Sequence, residues 1–301
     1  MVTIPLERLD LNIPEDIAEE VGRLYGYEKI SPQELKIESN IEINPEVCVS
    51  SLISRTLIQN DFSQIFTYVF TSSGEVEIEN PLATDKKSLR SNLSLAMEHS
   101  LLRNFKFVDL LGVKELKLFE IGKIFLERGE SLHLSLGVKF PKREKSEDEE
   151  VAKMIDLVEK LIGISFGDVS IVGGVAEIDL SKIIKKVEIP EKYPGNFWDA
   201  GEKGEIIYKT ISPYPFAVRD VAVFVPNDFG VEKVTELITK YLTDIVVRFS
   251  LFDTFTKGDK TSYAFRLVFQ SQKKTLTDEE INIVMDVIYK ALKSESEFEI
   301  R

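Results

Sequence analysis

The last third of the chain, from Tyr208 to Arg301, alternates strand-like and helix-like patterns of apolar residues. Apolar residues spaced three or four apart indicate helices, and strict alternation or β-branched and aromatic runs indicate strands. The predicted elements are, in order, a strand over Arg219 to Pro226, a helix over Val231 to Tyr241, strands over Ile245 to Phe255 and Ser262 to Phe269, and a helix after Thr277.

Turn and cap residues support this order of elements. The Lys-Gly-Asp-Lys run at Lys257 to Lys260 predicts a turn between the two strand runs. Thr277 followed by Glu280 is a capping box at the start of the last helix, and Phe298 to Arg301 can close the sheet. Strand–helix–strand–strand–helix–strand is the ferredoxin-like βαββαβ arrangement.

The chain before Tyr208 also mixes helix and strand patterns, so we predict an α+β protein. The predicted elements are a strand over Met1 to Leu11, helices over Pro14 to Gly26 and Pro45 to Gln59, a strand over Phe62 to Thr71, a helix within Leu89 to Phe107, strands over Lys114 to Leu126 and Leu132 to Phe140, and a helix over Val151 to Ile164. Polar connectors at Ser31 to Pro45 and Glu191 to Glu205 predict three domains, 1–35, 36–207 and 208–301.

Composition narrows the class of protein. No apolar run reaches the roughly 20 residues that a membrane span needs, and the N-terminus lacks a signal-peptide pattern, so we expect a cytoplasmic protein without a membrane partner. The single cysteine, Cys48, excludes an internal disulfide framework. Lying among apolar residues, it is better interpreted as a small buried side chain than as a nucleophile.

The net charge of −13 is unevenly distributed. The part from Tyr208 onward has 13 basic and 14 acidic residues, a balance of −1, whereas the part before it has 25 and 37, a balance of −12. A strongly basic nucleic-acid surface is therefore not expected, and any contact with RNA must use a small patch or a partner subunit.

Three short sequence motifs in the last domain indicate a protein family. They are PYPFAVRDVAV at Pro213 to Val223, LFDTF at Leu251 to Phe255 and TLTDEEIN at Thr275 to Asn282. In this order and spacing they resemble the ferredoxin-fold anticodon-binding domain that ends the β subunit of bacterial phenylalanyl-tRNA synthetase. A ferredoxin-like fold by itself does not indicate a function, so the resemblance rests on these three motifs.

The resemblance extends over nearly the whole chain. NPLATDKKSLRSNLSLAMEHSLLRN at Asn80 to Asn104 and LFEIGKIF at Leu118 to Phe125 are similar to the synthetase-like domain of the same subunit. Arg8 to Ile30 resembles the end of the winged-helix-like module that precedes it. The resemblance implies a remnant of that module over 1–35, a class II synthetase-like antiparallel sheet with flanking helices over 36–207, and the anticodon-binding domain over 208–301.

Four acidic residues form the candidate metal site. Asp16, Glu19 and Glu20 share one face of the first predicted helix, and Asp10 can fold back onto it. Clustered carboxylates suit Mg²⁺, but acids in a first helical turn also simply favour the positive helix end. The residues leave both interpretations open. The resemblance implies that these four acids hold a Mg²⁺ ion shared with the catalytic α subunit.

We expect no catalytic residue in this chain. The family's active enzymes hold ATP with an Arg-x-Glu and a further Arg, and the resemblance implies that ATP is bound by the α subunit. The only nearby Arg-x-Glu, Arg128 to Glu130, falls in a predicted hairpin turn. His99, in a predicted helix, and His133, in a predicted strand, are typical of satisfied structural residues.

The candidate RNA contacts are basic residues of the last domain. Arg219 is the first choice, with lysines and a second arginine expected to extend a patch at one end of the sheet; the full set is Arg219, Lys257, Lys260, Arg266, Lys273 and Lys274. Ordinary solvated surface is as good an interpretation of the lysines. Phe216 and Phe252 could stack on bases, although core packing is the commoner role of such aromatics.

The resemblance implies the C-terminal portion of a phenylalanine–tRNA ligase β subunit, acting in protein biosynthesis. It would scaffold the α subunit, contact tRNA(Phe) and assemble with a second αβ pair as a heterotetramer. Editing and N-terminal tRNA binding are expected to be absent, because the sequence starts inside a module that follows them. The alternative is a stand-alone RNA- or protein-binding module that has lost synthetase function. An enzyme in its own right is disfavoured by the missing ATP-binding arginines.

Overall fold

The computed structural model describes residues 3–34, 42–141, 146–191, 193, 208 and 210–300. They fall into two units, Met1–Glu42 and Ile43–Arg301. Parts of both predicted connectors and of the charge run from Lys142 to Glu150 lie outside the described residues, so the predicted domain boundaries stay predictions.

The first unit contains one α-helix, α1 (Pro14–Tyr25), over its described residues. The helix begins with Pro14 in its first turn and ends before Gly26, as predicted. The strand predicted over Met1 to Leu11 is wrong for the described residues 3–11, which form turns. The amide of Arg8 donates to the carbonyl of Pro5, and that of Leu11 donates to Arg8, so local turn bonds replace a ladder.

The second unit contains most of the chain's secondary structure. The elements of its first half are α2 (Pro45–Gln59), β1 (Ser63–Gln64), β2 (Phe70–Thr71), β3 (Ser88–Leu89), α3 (Ser94–Phe105), α4 (Val108–Leu111), β4 (Leu116–Leu126), β5 (Gly129–Lys139), α5 (Glu147–Ile162), β6 (Ile171–Val172), β7 (Val175–Asp179) and α6 (Leu180–Ile184). Five strands form a sheet in the order β1-β4-β5-β7-β6, in which β1 pairs parallel to β4 and the other pairs are antiparallel.

One face of this five-stranded sheet packs on helices. Alternate residues of its central strands, such as Phe119, Leu134 and Ile178, are buried in a core shared with α2, α5 and α6. The opposite face is covered in part by α3, whose Met97 and Leu101 pack over Leu118 and its neighbours. The strand predicted over Phe62 to Thr71 is only partly present, as β1 and β2. Side-chain bonds, described below, hold the segment between them.

The second half of this unit is the ferredoxin-fold module. Its elements are β8 (Ala217–Pro226), α7 (Val231–Thr239), β9 (Val246–Lys257), β10 (Lys260–Phe269), α8 (Asp278–Ser294) and β11 (Glu299–Ile300). The four strands form an antiparallel sheet in the order β11-β8-β10-β9. The predicted βαββαβ order and the α+β class are confirmed.

The two helices of the module cover one face of its sheet and leave the other open. Val221 and Val223 of β8 and Leu267 of β10 point into a core closed by α7 and α8. The residues that alternate with these along the strands point to the open face, where Asp220 of β8 lies opposite Arg266 of β10. The module therefore presents one sheet face for contacts outside its own core.

The predicted capping box at Thr277 is present. The Thr277 side chain accepts a bond from the Glu280 amide, and the Glu280 carboxylate accepts one from the Thr277 amide. Two of the amides that a helix start leaves without partners are thereby satisfied.

We expect Thr277→Ala to destabilise the module by about 1 kcal/mol, because it removes the oxygen that caps α8. Urea unfolding followed by circular dichroism measures this change. Thr277→Ser retains the hydroxyl and is the matched control, expected to lie close to the parent. Equal losses for both variants would contradict the capping role.

Candidate functional site

Two of the four acids predicted to bind metal are bridged by an arginine. The Arg8 guanidinium donates to Asp10 Oδ1 at 2.9 Å and to Glu20 Oε1 at 2.5 Å, and Arg23 also pairs with Glu20. The bond from Arg8 lowers the pKa of Asp10 to about 2, and bonds from Arg8 and then Arg23 lower the pKa of Glu20. Both carboxylates are therefore ionised at neutral pH and already have cationic partners.

Asp16 is used differently, as a cap for α1. Its Oδ2 accepts bonds from the amides of Asn12 at 2.7 Å and Ile13 at 2.9 Å. Within the described part of the chain, no three His, Cys, Asp or Glu side chains are arranged to hold a metal ion. As placed, Asp10, Asp16, Glu19 and Glu20 do not fit a magnesium centre, and the magnesium assignment stays a prediction that requires Arg8 to move.

A polar strip crosses the five-stranded sheet on the face that carries α3. Glu120 of β4 lies opposite Ser135 of β5, which lies opposite Glu177 of β7, so the three side chains share one face. Glu120 and Ser135 are buried. Sequence reasoning missed this strip, although Glu177 stands between the apolar Ala176 and Ile178 in a strand pattern that marks it for the opposite face.

Glu120 forms a buried ion pair with Arg90. Arg90 Nη1 lies 2.7 Å from Glu120 Oε1, and its Nε donates to the carbonyl of Lys123 at 2.8 Å. Thr67 completes the cluster, since its hydroxyl donates to Glu120 at 2.6 Å and accepts from Arg90 at 3.0 Å. The guanidinium lies over Gly122, where a Cβ atom would overlap it. A buried charge of this kind is tolerated only when its bonds are satisfied.

Glu177 anchors the start of α3. Its Oε2 accepts bonds from the amides of Leu93 at 2.9 Å and Ser94 at 2.8 Å and from the Ser94 hydroxyl at 2.8 Å. Its Oε1 lies 2.8 Å from His133 Nδ1. Burial raises the pKa of Glu177, but the bonds from His133, Ser94 and Leu93 outweigh it and the pKa is lowered overall. His133 is thus a satisfied structural residue, as predicted.

The Arg128 to Glu130 triplet lies where the sequence predicted it. Arg128 lies in the hairpin turn between β4 and β5, Gly129 and Glu130 begin β5, and Glu130 pairs with Lys123 across the hairpin at 2.6 Å. Cys48 is buried in α2, as predicted, and burial raises the pKa of its thiol.

An exposed aromatic row lies beside the polar strip. Phe66 is 81% exposed, Tyr68 79% and Phe70 49%, whereas the intervening Thr67 side chain points into the Arg90 cluster. Lys86 Nζ lies 5.3 Å from the centre of the Tyr68 ring. Adjacent exposed aromatics of this size are typical of interaction surfaces rather than of isolated surface residues. We call Phe66, Tyr68 and Phe70 the aromatic row.

The six predicted RNA contacts do not form one patch. The expectation of a single patch at one end of the sheet is corrected, because Lys257 ends β9 beside Lys260 at the start of β10, whereas Lys273 and Lys274 follow the other end of β10. Arg219 is paired with Leu267, on the helix-covered face.

Four of the six basic residues have acidic partners within the chain. The pairs are Arg219 with Asp278, Lys260 with Glu299, Arg266 with both Asp109 and Asp220, and Lys274 with Glu280. RNA contact by any of these residues stays a prediction.

The sequence predicts either core packing or base stacking for Phe216 and Phe252. The Phe216 ring centre lies 5.9 Å from that of Phe107, so it packs against the first half of the unit. Phe252 is 36% exposed, and the Arg266 guanidinium lies 4.5 Å from its ring centre. Core packing is wrong for Phe252, because it sits where the register of β9 shifts beside the Ala264/Phe265 step of β10.

Three family models match the chain in the predicted order. They describe a tRNA synthetase B5 domain over residues 1–27, the phenylalanyl tRNA synthetase beta chain CLM domain over 35–167, and a ferredoxin-fold anticodon binding domain over 212–301. Two of the three matched models are named for tRNA synthetases, and the third, an anticodon-binding domain, matches the ferredoxin-fold module.

Curated relatives of the chain share one name. The chain is 26% identical to a phenylalanine–tRNA ligase β subunit of Clostridium acetobutylicum over 96% of its own length and 42% of the relative. It is 25% identical to that of Nitrosospira multiformis, over 97% and 42%, and 26% identical to that of Thermotoga maritima, over 100% and 44%. The predicted resemblance to the C-terminal part of this subunit is confirmed, and the chain spans less than half the length of these relatives.

The described residues contain no helix that is both long and apolar enough to cross a bilayer.

We expect Glu177→Gln to lower the stability at pH 7 by about 1–2 kcal/mol, because a neutral amide caps α3 and binds His133 less well. Since the folded pKa of Glu177 lies below the ordinary 4.5, its contribution is present above about pH 4.5 and is lost as the pH falls through the folded value. Denaturant unfolding between pH 7 and pH 3 checks both statements.

In that experiment the stability difference between parent and Glu177→Gln narrows as the pH falls below 4.5. Glu98→Gln removes a charge from the exposed side of the same helix and is the control, expected to match the parent at pH 7. A gap between parent and Glu177→Gln that stays constant down to pH 3 would show that the carboxylate charge is irrelevant.

Proposed function

We propose that this chain acts as a non-catalytic portion of a phenylalanine–tRNA ligase β subunit. It scaffolds a catalytic α subunit, which binds ATP and phenylalanine, and contacts tRNA(Phe) during phenylalanylation in the cytoplasm. The observation that carries the proposal is the succession of B5, CLM and ferredoxin-fold anticodon-binding matches along one chain. Fold alone would not support it, because ferredoxin-like modules serve many functions.

The aromatic row supports a scaffolding role. Its side chains remain exposed because Thr67, between Phe66 and Tyr68, is held inward by Arg90 and Glu120. Large exposed aromatics commonly provide the central contacts of protein interfaces. The relatives are named β subunits, which fits an α chain as the occupant of this row. A second αβ pair, giving a heterotetramer, is part of the same proposal.

The open sheet face of the ferredoxin-fold module supports contact with RNA. Phe255 of β9 lies opposite Ser262 of β10, which lies opposite Phe224 of β8, so both rings share this face. Phe255 is 57% exposed. With Lys257 two residues further along β9, the face offers a ring for base stacking beside a cation for phosphate.

The second candidate function is a stand-alone RNA- or protein-binding module. The distribution of charge favours it, because the acidic balance lies upstream of the module and four of the six basic candidates are neutralised within the chain. The two candidates differ in whether an α subunit gains activity from this chain.

The test is phenylalanine-dependent exchange of pyrophosphate into ATP, measured with this chain alone, with an α subunit from the same source alone, and with both. We expect exchange only in the mixture. Exchange by this chain alone would contradict the assignment of catalysis to the α subunit. If the two folded proteins bind each other without gaining exchange, the module interpretation is favoured.

A variant with Phe66→Ser and Tyr68→Ser tests the aromatic row in the same assay. We expect at least a tenfold loss of α-subunit affinity, because the loss of two anchoring aromatics from an interface typically costs more than 2 kcal/mol. Val172→Ser is the control, since Val172 is 73% exposed on β6 at the far edge of the sheet. Unchanged affinity in the double variant would move the interface elsewhere.

The magnesium prediction has a separate test. We expect Asp16→Ala combined with Glu20→Ala to abolish any magnesium-dependent strengthening of the pairing with the α subunit, measured by titration with and without Mg²⁺. Arg8→Ala is the informative companion, because it removes the partner of Asp10 and one of the two partners of Glu20 and should strengthen magnesium binding. Magnesium dependence that persists in the double variant would exclude this site.

A further inference from the structure

The ferredoxin-fold module makes side-chain bonds to a short segment of the preceding half of the second unit. The segment, Phe107 to Gly112, includes the single helical turn α4, and we call it the docking segment. Arg248 of β9 donates from Nε to the carbonyl of Leu110 at 3.0 Å and from Nη2 to the carbonyl of Leu111 at 2.8 Å. These bonds join residues 137 and 138 positions apart in the chain.

The chemistry of this contact is specific for a guanidinium group. The last carbonyls of a helical turn have no partners within the turn, and their dipoles favour a cation. A guanidinium presents several N–H groups in a rigid plane and so reaches two neighbouring carbonyls at once, which a lysine ammonium cannot do in the same geometry.

Arg266 adds an ion pair to the same contact. Its Nη1 lies 2.8 Å from Asp109 Oδ1 in the docking segment, while its Nε and Nη2 bind Asp220 of its own module at 2.8 and 2.7 Å. The Phe252 ring lies under the guanidinium. Asp220 and Phe252 therefore fix the position of the Arg266 guanidinium that pairs with Asp109.

Gly112 completes the fit. Its φ of +67° is a left-handed conformation that ends α4, and a Cβ atom at this position would overlap the guanidinium of Arg248. Gly163 ends α5 with a φ of +71° but has no atom within 4 Å of an added Cβ. The two glycines thus share the backbone requirement, and only Gly112 also makes room for the contact.

We propose that Arg248 and Arg266 form a latch that docks the ferredoxin-fold module onto the docking segment and fixes the orientation of its open sheet face. Docking depends on side-chain bonds and on the close approach at Gly112. The Phe107 and Phe216 rings contribute a neighbouring apolar contact. This inference does not require the proposed function, because it concerns the arrangement of the chain by itself.

The test is an intramolecular distance measured between two spin labels. Lys153→Cys on α5 and Lys257→Cys at the end of β9 place labels on either side of the contact, and both positions are exposed. Cys48 is buried and is not expected to react in the folded chain. The parent should give one narrow distance distribution, and Arg248→Ala should add a population at different distances.

Matched variants separate the latch from general destabilisation. Arg248→Lys keeps the charge and should still release the module, because it loses the two-carbonyl geometry. Gly112→Ala should release it, whereas Gly163→Ala, with the same backbone strain, should not. Asp109→Asn should broaden the distribution more than Asp220→Asn, because only Asp109 lies in the docking segment.

Circular dichroism establishes that each variant is folded. A narrow parent-like distribution in both Arg248→Ala and Gly112→Ala would overturn the proposal. So would equal release by Gly112→Ala and Gly163→Ala, since the effect would then come from backbone strain. These results are independent of pyrophosphate exchange, so failure of the latch and failure of the proposed function are distinguishable.

Discussion

The buried pair between Arg90 and Glu120 organises the first half of the second unit. A sheet edge needs partners for its backbone, and β1 supplies only two paired residues to β4. Arg90 compensates with bonds to Glu120, to the carbonyl of Lys123 and to both the hydroxyl and the carbonyl of Thr67. Its own backbone also bridges, because its amide donates to Val69 and its carbonyl accepts from Phe125. One charged residue thus ties an irregular segment to the sheet.

Two consequences follow from that tie. Because the Thr67 side chain is held inward, the neighbouring Phe66 and Tyr68 side chains point outward. The exposed aromatic row therefore depends on the buried ion pair between Arg90 and Glu120. The guanidinium also occupies the space over Gly122, on the sheet face that carries Glu177 and α3. A face filled by structural ion pairs and helix caps has its polar groups satisfied internally, which suits a stable support better than a site that must exchange ligands.

The sequence predicted most of the fold because α7, α8, β8 and β10 of the ferredoxin-fold module each bury one side of the element. Val221, Val223 and Leu267 follow the strand period, and Thr277 and Glu280 identify the start of α8 from sequence alone. The strand predicted for residues 3–11 failed because Pro5 and Arg8 form successive turn bonds, which an alternating pattern does not reveal. For Phe62 to Thr71 the alternation was real, but side-chain bonds rather than a ladder enforce it.

The candidate sites were less predictable because they depend on partners distant in the chain. The sequence spacing placed Asp16, Glu19 and Glu20 on one helix. It could not show that Arg8 pairs with Glu20, twelve residues further along the chain. Nor could it show that Arg266 is shared between Asp109 and Asp220. A basic residue in a family motif can be recognised in the sequence, whereas its ion-pair partner is known only from the folded structure.

Under the proposed function, the partners of the arginines decide which part of the ferredoxin-fold module could contact a nucleic acid. Arg266 and Arg248 would be natural phosphate ligands, since guanidinium groups bind phosphate and carboxylate alike. In the docked arrangement both are committed to the docking segment, so phosphate would have to compete with Asp109 and with two carbonyl dipoles. The face near Phe255 and Lys257 carries no such commitment to the docking segment among the contacts described. The two ends of the sheet would thereby have different roles. Arg248 and Arg266 at one end fix the orientation of the module, and Phe255 and Lys257 at the other end remain available to bind a ligand.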